Sequence, residues 1–288
     1  MTFHTASSSD VVPDAMAAQV QRAQAFARLH RRGAPLLLAN AWDVGSAVAI
    51  VGAGAAAIAT TSAGVAWSLG VPDAADLGAQ RAAEAVARIV AAVPVPVSAD
   101  IEAGYGTRPQ DVAATVDAVV RAGAVGVNLE DQLPGVGLLP PAEQAERLAA
   151  ARAAAQELGI PLWINARTDV YLAGVGRAEE RVELTLARAA AYASAGADSL
   201  FVPGLVDLDA IAELAAGPLP ISIMVWDGAP EVSQLAAAGV VRISLGSAIA
   251  EAAYGLAARA ATELLTAGTY RSTADGFPYE AMNDALGH

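Results

Sequence analysis

Residues 94–130 read PVPVSADIEAGYGTRPQDVAATVDAVVRAGAVGVNLE, a stretch typical of a strand, a helix and a second strand. A short apolar run that starts at Pro94 ends in Asp100, and a segment rich in Ala and Val follows it. The sequence Ala122-Gly-Ala124 contains the glycine that commonly ends a helix, and a second apolar run then ends in Glu130. Such alternation of buried strands with helices predicts a parallel sheet.

The same alternation extends over most of the chain. Eight runs have the composition of buried strands: Leu36–Ala41, Ala56–Thr61, Pro94–Asp100, Val125–Glu130, Pro161–Arg167, Asp198–Pro203, Pro220–Val225 and Val240–Leu245. Eight is the strand number of a (β/α)₈ TIM barrel, and we predict that fold for residues 14–270, with a helix over 14–32. An open doubly wound sheet would alternate similarly, but no G-x-G-x-x-G or Walker-type loop follows the first strand. Residues 1–13 are expected to form a mobile tail and residues 271–288 a C-terminal tail.

The composition excludes several classes of protein. Hydrophobic residues make up 55% of the 288 residues and charged residues 16%, as expected for a globular protein whose strands are buried on both faces. The net charge of −13 repels nucleic acid and anionic membranes, so neither is an expected partner. Cysteine is absent, which excludes disulfides and thiolate sites. The N-terminus lacks the layout of a secretory signal, and we expect a cytoplasmic protein.

Acidic residues gather where the predicted strands end. Asp100 and Glu102 follow the third strand and Glu130 closes the fourth, and in a barrel these ends meet at one mouth. Converging carboxylates repel one another unless a cation lies between them. Oxygen ligands without cysteine favour Mg²⁺, or Mn²⁺, over zinc. Arg167 closes the fifth strand and offers a guanidinium to a substrate carboxylate.

These carboxylates have a simpler explanation, because most single acidic residues after a strand cap a helix or form surface ion pairs. That explanation is weaker for three of them together. For Asp131 and Asp169 it stays as plausible as a role in the site.

Five segments resemble, in order and spacing, motifs of the isocitrate lyase and phosphoenolpyruvate mutase superfamily. They are Thr61-Ser-Ala-Gly64 (S-G-G), Gly70-Val-Pro-Asp73 (G-x-x-D), Asp100-Ile-Glu-Ala-Gly-Tyr-Gly106 (D-x-D/E-x-G-Y/F-G), Asn128-Leu-Glu-Asp-Gln132 (I-E-D-Q) and Asn165-Ala-Arg-Thr-Asp169 (A-R-T-D). The resemblance implies a (β/α)₈ barrel that uses Mg²⁺ to act on a small 2-oxo acid or dicarboxylate. It implies metal ligands, direct or through water, at Asp73, Asp100, Glu102 and Glu130. It also implies that a substrate carboxylate is bound by Ser62, Ala63, Gly64, Asn165 and Arg167.

One loop departs from the superfamily pattern. The lyases carry a K-x-C-G-H loop after the fourth strand and the phosphonomutases a K-T-N-S-like loop, but residues 133–141 here read LPGVGLLPP. Val202-Pro-Gly204 and Met224 also replace polar positions of the lyases, so the far end of the pocket is expected to be less polar. The general acid is therefore not identifiable, and Arg167, Tyr105 and Glu102 are the predicted catalytic residues.

These observations predict a Mg²⁺-dependent lyase or decarboxylase that breaks a C–C bond next to a carboxylate through an enolate, on an oxaloacetate-like or 2-alkylmalate-like acid. One alternative is a phosphonopyruvate or carboxyphosphonoenolpyruvate mutase or hydrolase. Another is a barrel that binds a 2-oxo acid with little turnover.

The C-terminal segment 247–268 is apolar on more than one helical face. The resemblance implies that this helix is exchanged between subunits of a homotetramer, a dimer of dimers. The alternative is an ordinary last helix of the barrel.

Overall fold

The structure, a computed structural model, describes residues 8–75 and 77–287. The strands of its main sheet are β1 (Leu36–Leu38), β2 (Asn40–Ala41), β3 (Ile58–Thr60), β4 (Val97–Asp100), β5 (Gly126–Glu130), β8 (Trp163–Arg167), β9 (Ser199–Phe201), β10 (Ile221–Met224) and β11 (Val240–Ser244). This sheet is parallel throughout, with the strand order β1-β11-β10-β9-β8-β5-β4-β3-β2. Because β1 and β2 are two parts of one predicted run, the sheet nearly closes on itself. All eight predicted runs contain a strand, and the predicted (β/α)₈ barrel is confirmed.

Helices alternate with these strands and surround them. They are α1 (Ser8–Leu29), α2 (Val44–Gly52), α3 (Ser62–Ser68), α4 (Ala79–Ala92), α5 (Pro109–Arg121), α6 (Pro141–Glu157), α7 (Arg181–Ser194), α8 (Leu208–Ala215), α9 (Val232–Ala237), α10 (Ala248–Ala267) and α11 (Tyr279–Leu286). A short antiparallel hairpin, β6 (Gln132–Leu133) and β7 (Gly137–Leu138), lies between β5 and α6.

The first helix starts earlier than the sequence predicted and closes one end of the barrel. It runs over 8–29 rather than 14–32, so residues 8–13 are helical rather than part of a tail, whereas residues 1–7 lie outside the described residues. Phe26 is fully buried, and the ring of His30 stacks on Trp163 with centroids 4.0 Å apart. Since Trp163 begins β8, α1 covers the N-terminal ends of the strands, opposite the expected mouth.

The barrel interior contains a hydrogen-bonded chain of polar side chains, although branched apolar residues usually dominate this position. Asn165 donates from Nδ2 to Oδ1 of Asn128 (2.9 Å) and accepts at Oδ1 from the Ser199 hydroxyl (2.6 Å). The buried Arg242 also donates from Nη2 to Oδ1 of Asn128 (3.0 Å). This chain of hydrogen-bonded side chains lies directly beneath the C-terminal ends of β5 and β8, because Asn128 and Asn165 lie two residues before Glu130 and Arg167.

The C-terminal region is helical and largely exposed. Within α10, Ala250 is buried, whereas Leu264 and Leu265 are 57% and 83% exposed. A groove of about 780 Å³ lies where an eighth barrel helix would pack, and the exposed β1 residue Leu37 lines it. The predicted 271–288 tail includes α11, which lies against α2. No helix in the described part of the chain has both the length and the apolar composition needed to cross a bilayer.

Candidate active site

The C-terminal ends of β3, β4, β5 and β8 meet around one cavity of about 220 Å³. Its polar wall combines carboxylates with one arginine, and its apolar wall comes from the hairpin and the segment after β8. The lining residues are Ser62, Asp73, Ala74, Glu102, Glu130, Gln132, Pro134, Arg167, Asp169, Leu172 and Ala173. The structure therefore brings together Ser62, Asp73, Glu102, Glu130 and Arg167, as predicted for the mouth of a barrel.

Asp100 is held at the end of β4 by the neighbouring strand. Its Oδ2 accepts from the hydroxyl (2.9 Å) and the backbone N–H (3.3 Å) of Ser62, the first residue of α3. The Asp100 N–H donates to Oγ1 of Thr60 (2.8 Å). These hydrogen bonds fix the orientation of the Asp100 carboxylate beside the cavity and connect it to the start of α3.

The loop after Asp100 is strained. Glu102 (φ 50°) and Tyr105 (φ 49°) both adopt the left-handed region, which non-glycine residues avoid. Gly106 is required for packing, since a Cβ there would lie 2.3 Å from Cβ of Asp111. The Tyr105 hydroxyl is buried and has no hydrogen-bond partner among the described residues. Strain of this kind persists only where the surroundings hold the backbone, and it is common at functional sites.

Arg167 lies between two carboxylates. Its Nη1 is 2.7 Å from Oε2 of Glu130, while Nε and Nη2 donate to the two carboxylate oxygens of Asp169 at 2.6 and 2.8 Å. Burial disfavours the charged guanidinium, but Glu130 and Asp169 outweigh burial and hold the pKa of Arg167 above its usual value. Three of its five N–H groups are engaged, which leaves two for a substrate.

Three cavity carboxyls, those of Asp73, Glu102 and Glu130, have pKa values that burial raises. Burial, reinforced by repulsion from Asp100, raises the pKa of Glu102 to about 7. Burial also raises the pKa of Glu130 to about 8, although Arg167 acts in the opposite direction. For Tyr105, burial and then the carboxylates of Glu102 and Asp100 raise the pKa, so the phenol stays protonated. A cation among these carboxylates would favour their ionised forms.

The donor chemistry of the cavity fits Mg²⁺ or Mn²⁺. Asp73, Glu102 and Glu130 in the cavity lining, and Asp100 beside it, offer only oxygen ligands, which these ions prefer. Over residues 8–75 and 77–287, no three acidic or histidine side chains already stand at the spacing of one coordination shell. Glu130 points to Arg167 and Asp100 to Ser62 instead. Because Mg²⁺ commonly keeps several water ligands, contacts through water remain compatible with this arrangement.

Three predicted substrate-binding residues do not line the cavity. Ala63 and Gly64 are buried inside α3, where a Cβ on Gly64 would lie 2.8 Å from Cβ of Trp42. This glycine is therefore explained by helix packing rather than by a close approach to substrate. Asn165 is fully buried below the cavity, in the polar chain of the barrel interior. Ser62 is the member of the predicted cradle that lines the cavity.

Asp131, for which the sequence allowed either helix capping or a role in the site, is a completely buried carboxylate that accepts three hydrogen bonds. Its Oδ2 accepts from Nη1 of Arg188 (2.9 Å) and the Tyr192 hydroxyl (2.6 Å), and its Oδ1 from the Asp169 N–H (3.0 Å). Arg188 also donates to the backbone oxygen of Leu139 at the end of the hairpin (2.8 Å). The sequence reasoning missed Arg188 because its partners are distant in sequence.

Comparisons with known proteins identify the family of this chain. Residues 26–265 match the family model described as Phosphoenolpyruvate phosphomutase. The chain belongs to this family. It is 38% identical over 238 residues to an uncharacterized protein of Mycobacterium tuberculosis, with 82% of the chain and 87% of that relative covered. It is 29% identical over 223 residues to the 2-methylisocitrate lyase of Salmonella typhimurium, with 72% of each covered. It is 35% identical over 214 residues to an oxaloacetate decarboxylase of Bradyrhizobium sp., with 70% and 67% covered.

The chain also shares its fold with solved structures of related proteins. A crystal structure from Burkholderia cenocepacia, provisionally described as a phosphonomutase, is 43% identical with a TM-score of 0.80 over 87% of the chain and all of that protein. Oxaloacetate acetylhydrolase in complex with oxalate is 26% identical with a TM-score of 0.82, with 92% and 94% covered. The predicted superfamily is confirmed, and the chain is an enzyme of the isocitrate lyase and phosphoenolpyruvate mutase type.

Proposed function

We propose that this chain is a Mg²⁺-dependent lyase or decarboxylase that breaks a C–C bond next to a carboxylate in a small 2-oxo or 2-hydroxy acid. One observation carries the proposal: a single cavity unites Ser62, Glu102, Glu130 and Arg167, while the adjoining hairpin offers no Cys, Lys or His. The cavity thus offers groups that can bind a metal ion and a carboxylate, but the chain has no cysteine to act as the catalytic acid of the superfamily's lyases. The names of two relatives, 2-methylisocitrate lyase and oxaloacetate decarboxylase, fit this class of reaction.

The proposed roles of the side chains follow from their positions. Asp73, Asp100, Glu102 and Glu130 would hold Mg²⁺ or Mn²⁺, which as a Lewis acid stabilises the negative charge of an enolate. Arg167 binds the substrate carboxylate with its two remaining N–H groups. The Ser62 hydroxyl, which already contacts Asp100, orients the substrate beside these carboxylates.

The source and the acceptor of the proton differ between the two substrate classes. A β-keto acid such as oxaloacetate loses CO₂ and forms an enolate, which takes a proton from water without any acidic side chain. A 2-alkylmalate must instead lose its hydroxyl proton before the C–C bond breaks. Glu102, whose side chain lines the cavity, is the candidate acceptor, whereas the protonated Tyr105 phenol cannot take up this proton.

A direct assay tests this function. Release of a 2-oxo acid or CO₂ is measured from oxaloacetate, 2-alkylmalates and phosphonopyruvate, with and without Mg²⁺. We expect Mg²⁺-dependent turnover of at least one of the first two classes. Turnover without metal, activity on the phosphonate alone, or binding of 2-oxo acids without turnover would each contradict the proposal.

We also propose that the active protein is a homo-oligomer, a dimer of dimers, in which α10 of one subunit fills the groove beside β1 of another. The exposed leucines of α10 and the open groove lined by Leu37 support this assembly, because both surfaces are apolar and lack a partner within the described chain. The α10 helix of each subunit would then cover the groove that is left open on a neighbouring subunit.

A further inference from the structure

Arg147 lies on the second turn of α6 and directs its guanidinium to the loop that follows Asp100. The side chain is 2% exposed. Its Nη1 donates to the backbone oxygens of Gly106 (3.1 Å) and Thr107 (2.7 Å), and its Nη2 donates to the backbone oxygen of Ala103. One arginine therefore holds three carbonyl groups of the loop that carries Glu102.

Gln144, one turn earlier on α6, extends this contact to the next strand. It is fully buried, and its Nε2 donates to the backbone oxygen of Glu130 (3.1 Å). Its Oε1 accepts from Nε of Arg147 (3.1 Å). The two carboxylate-bearing segments also contact each other directly, because the Glu130 N–H donates to the backbone oxygen of Glu102 (3.0 Å).

This use of a buried arginine is unusual. A buried guanidinium is normally paired with a carboxylate, but within the described ranges Arg147 forms no ion pair. Its donors bind backbone oxygens of a loop in which Glu102 and Tyr105 hold left-handed φ angles. Such strained backbone is kept only if its surroundings fix it. Arg147 supplies that restraint from a helix outside the cavity lining.

We propose that Arg147, acting with Gln144, is a positioning residue that sets the spacing of Glu102 and Glu130 for a divalent metal ion. The inference rests on the proposed function, which places the metal at these carboxylates. It predicts that metal affinity depends on a side chain that touches neither the metal nor the substrate. Groups that orient metal ligands in this way typically change metal affinity by about 10- to 100-fold when they are removed.

Arg152 provides a matched control on the same helix. It is partly buried and donates to the backbone oxygens of Gly196 (3.0 and 2.7 Å) and Leu162 (2.7 Å), and unlike Arg147 it also pairs with a carboxylate, that of Asp198 (2.5 Å). These groups lie near the N-terminal ends of the strands, away from the cavity. A purely structural role of arginines in α6 would make Arg147→Met and Arg152→Met behave alike.

The experiment measures Mn²⁺ binding to the full-length protein by electron paramagnetic resonance, with folding checked by circular dichroism. The wild-type, Arg147→Met, Arg147→Lys, Arg152→Met and Asp100→Ala proteins are compared. We expect Arg147→Met to raise the Kd for Mn²⁺ about 10- to 100-fold, and Arg152→Met to leave it unchanged. Lysine cannot reach three carbonyls at once, so Arg147→Lys should give an intermediate Kd.

The outcomes separate this inference from the proposed function. If the wild-type protein does not bind Mn²⁺, or if Asp100→Ala binds it equally well, the proposed metal site itself is wrong. If the wild-type binds Mn²⁺ but a folded Arg147→Met protein binds it as tightly, Arg147 is not a positioning residue. If Arg147→Met does not fold, a wild-type Kd for Arg147→Lys overturns the inference. An equal loss of affinity in Arg152→Met does so as well.

Discussion

The guanidinium of Arg167 is shared between Glu130 and Asp169, and this geometry limits what can replace it. An ammonium group is a single point charge and cannot contact two carboxylates and a substrate in fixed directions. We therefore expect Arg167→Lys to raise KM by about tenfold or more, in line with the loss of a charge-assisted hydrogen bond. Steady-state kinetics measures this effect. Arg177→Lys, at an arginine that is 72% exposed, is the control. A lower kcat with unchanged KM would contradict a role in substrate binding.

Asp100 accepts hydrogen bonds from both the hydroxyl and the backbone N–H of Ser62, and the proposed reaction depends on this carboxylate. Asp100→Ala should abolish Mg²⁺-dependent turnover, as EDTA should in the wild-type protein, because the remaining carboxylates cannot hold the ion in place. The assay is the release of pyruvate or CO₂. Asp117→Ala, at a carboxylate paired with Arg121 on the surface of α5, should keep full activity. Turnover of the Asp100→Ala protein near the wild-type rate would exclude the proposed site.

The raised pKa values of Glu102, about 7, and Glu130, about 8, predict a dependence on pH. Both carboxyls bind protons in the folded protein at pH values where the unfolded chain has lost them. The stability that they contribute is therefore present at low pH and is lost as pH rises through 7 and 8. We expect the Tm of the metal-free protein to fall between pH 6 and 9, and Mg²⁺ to restore more of it at pH 9. A Tm that rises over this range without metal would contradict the prediction.

At the scale of elements, the hairpin β6–β7 is held to the barrel by one buried ion pair. Asp131 is completely buried and Arg188 nearly so, and Arg188 also binds Leu139 where the hairpin ends. Removal of one partner leaves the other charge buried without compensation. We expect Arg188→Met to lower the free energy of unfolding by about 3–5 kcal/mol, measured by urea denaturation. Arg121→Met, at an exposed ion pair, should change it by less than about 1 kcal/mol. Equal changes in the free energy of unfolding for the two substitutions would contradict a larger contribution of the buried ion pair to stability.

At the scale of the whole molecule, the exposed helix α10 makes the oligomeric state testable. Leu256→Glu combined with Leu264→Glu places charges on the face that is proposed to enter a neighbouring subunit. We expect light scattering to give a tetramer mass for the wild-type protein and a smaller mass for this variant, since buried unpaired charges oppose association. Val136→Glu, at an exposed apolar residue of the hairpin, should keep the wild-type mass. A wild-type monomer at micromolar concentration would contradict the exchange.

The barrel and the rough location of its site follow from local patterns. Short apolar runs, helix-ending glycines and acidic residues at the ends of runs repeat along the chain, and each can be recognised within a few residues. The topology of parallel strands then requires those ends to meet at one mouth. For this reason all eight strands were predicted, and the cavity contains Glu102, Glu130 and Arg167, three of the residues that the sequence had singled out.

The partners of these residues were decided by the tertiary structure. Arg147 binds Gly106, 41 residues away, and Arg188 binds Asp131 over 57 residues. Such pairs leave no periodic signal, because they depend on distances between elements that meet only after folding. Asn165 was expected to bind the substrate but belongs to the hydrogen-bonded polar side chains of the barrel interior. A position near the end of a strand does not determine how deep the side chain lies. Local chemistry therefore predicted which residues reach the mouth, whereas burial and packing across the barrel decided which of them face the cavity.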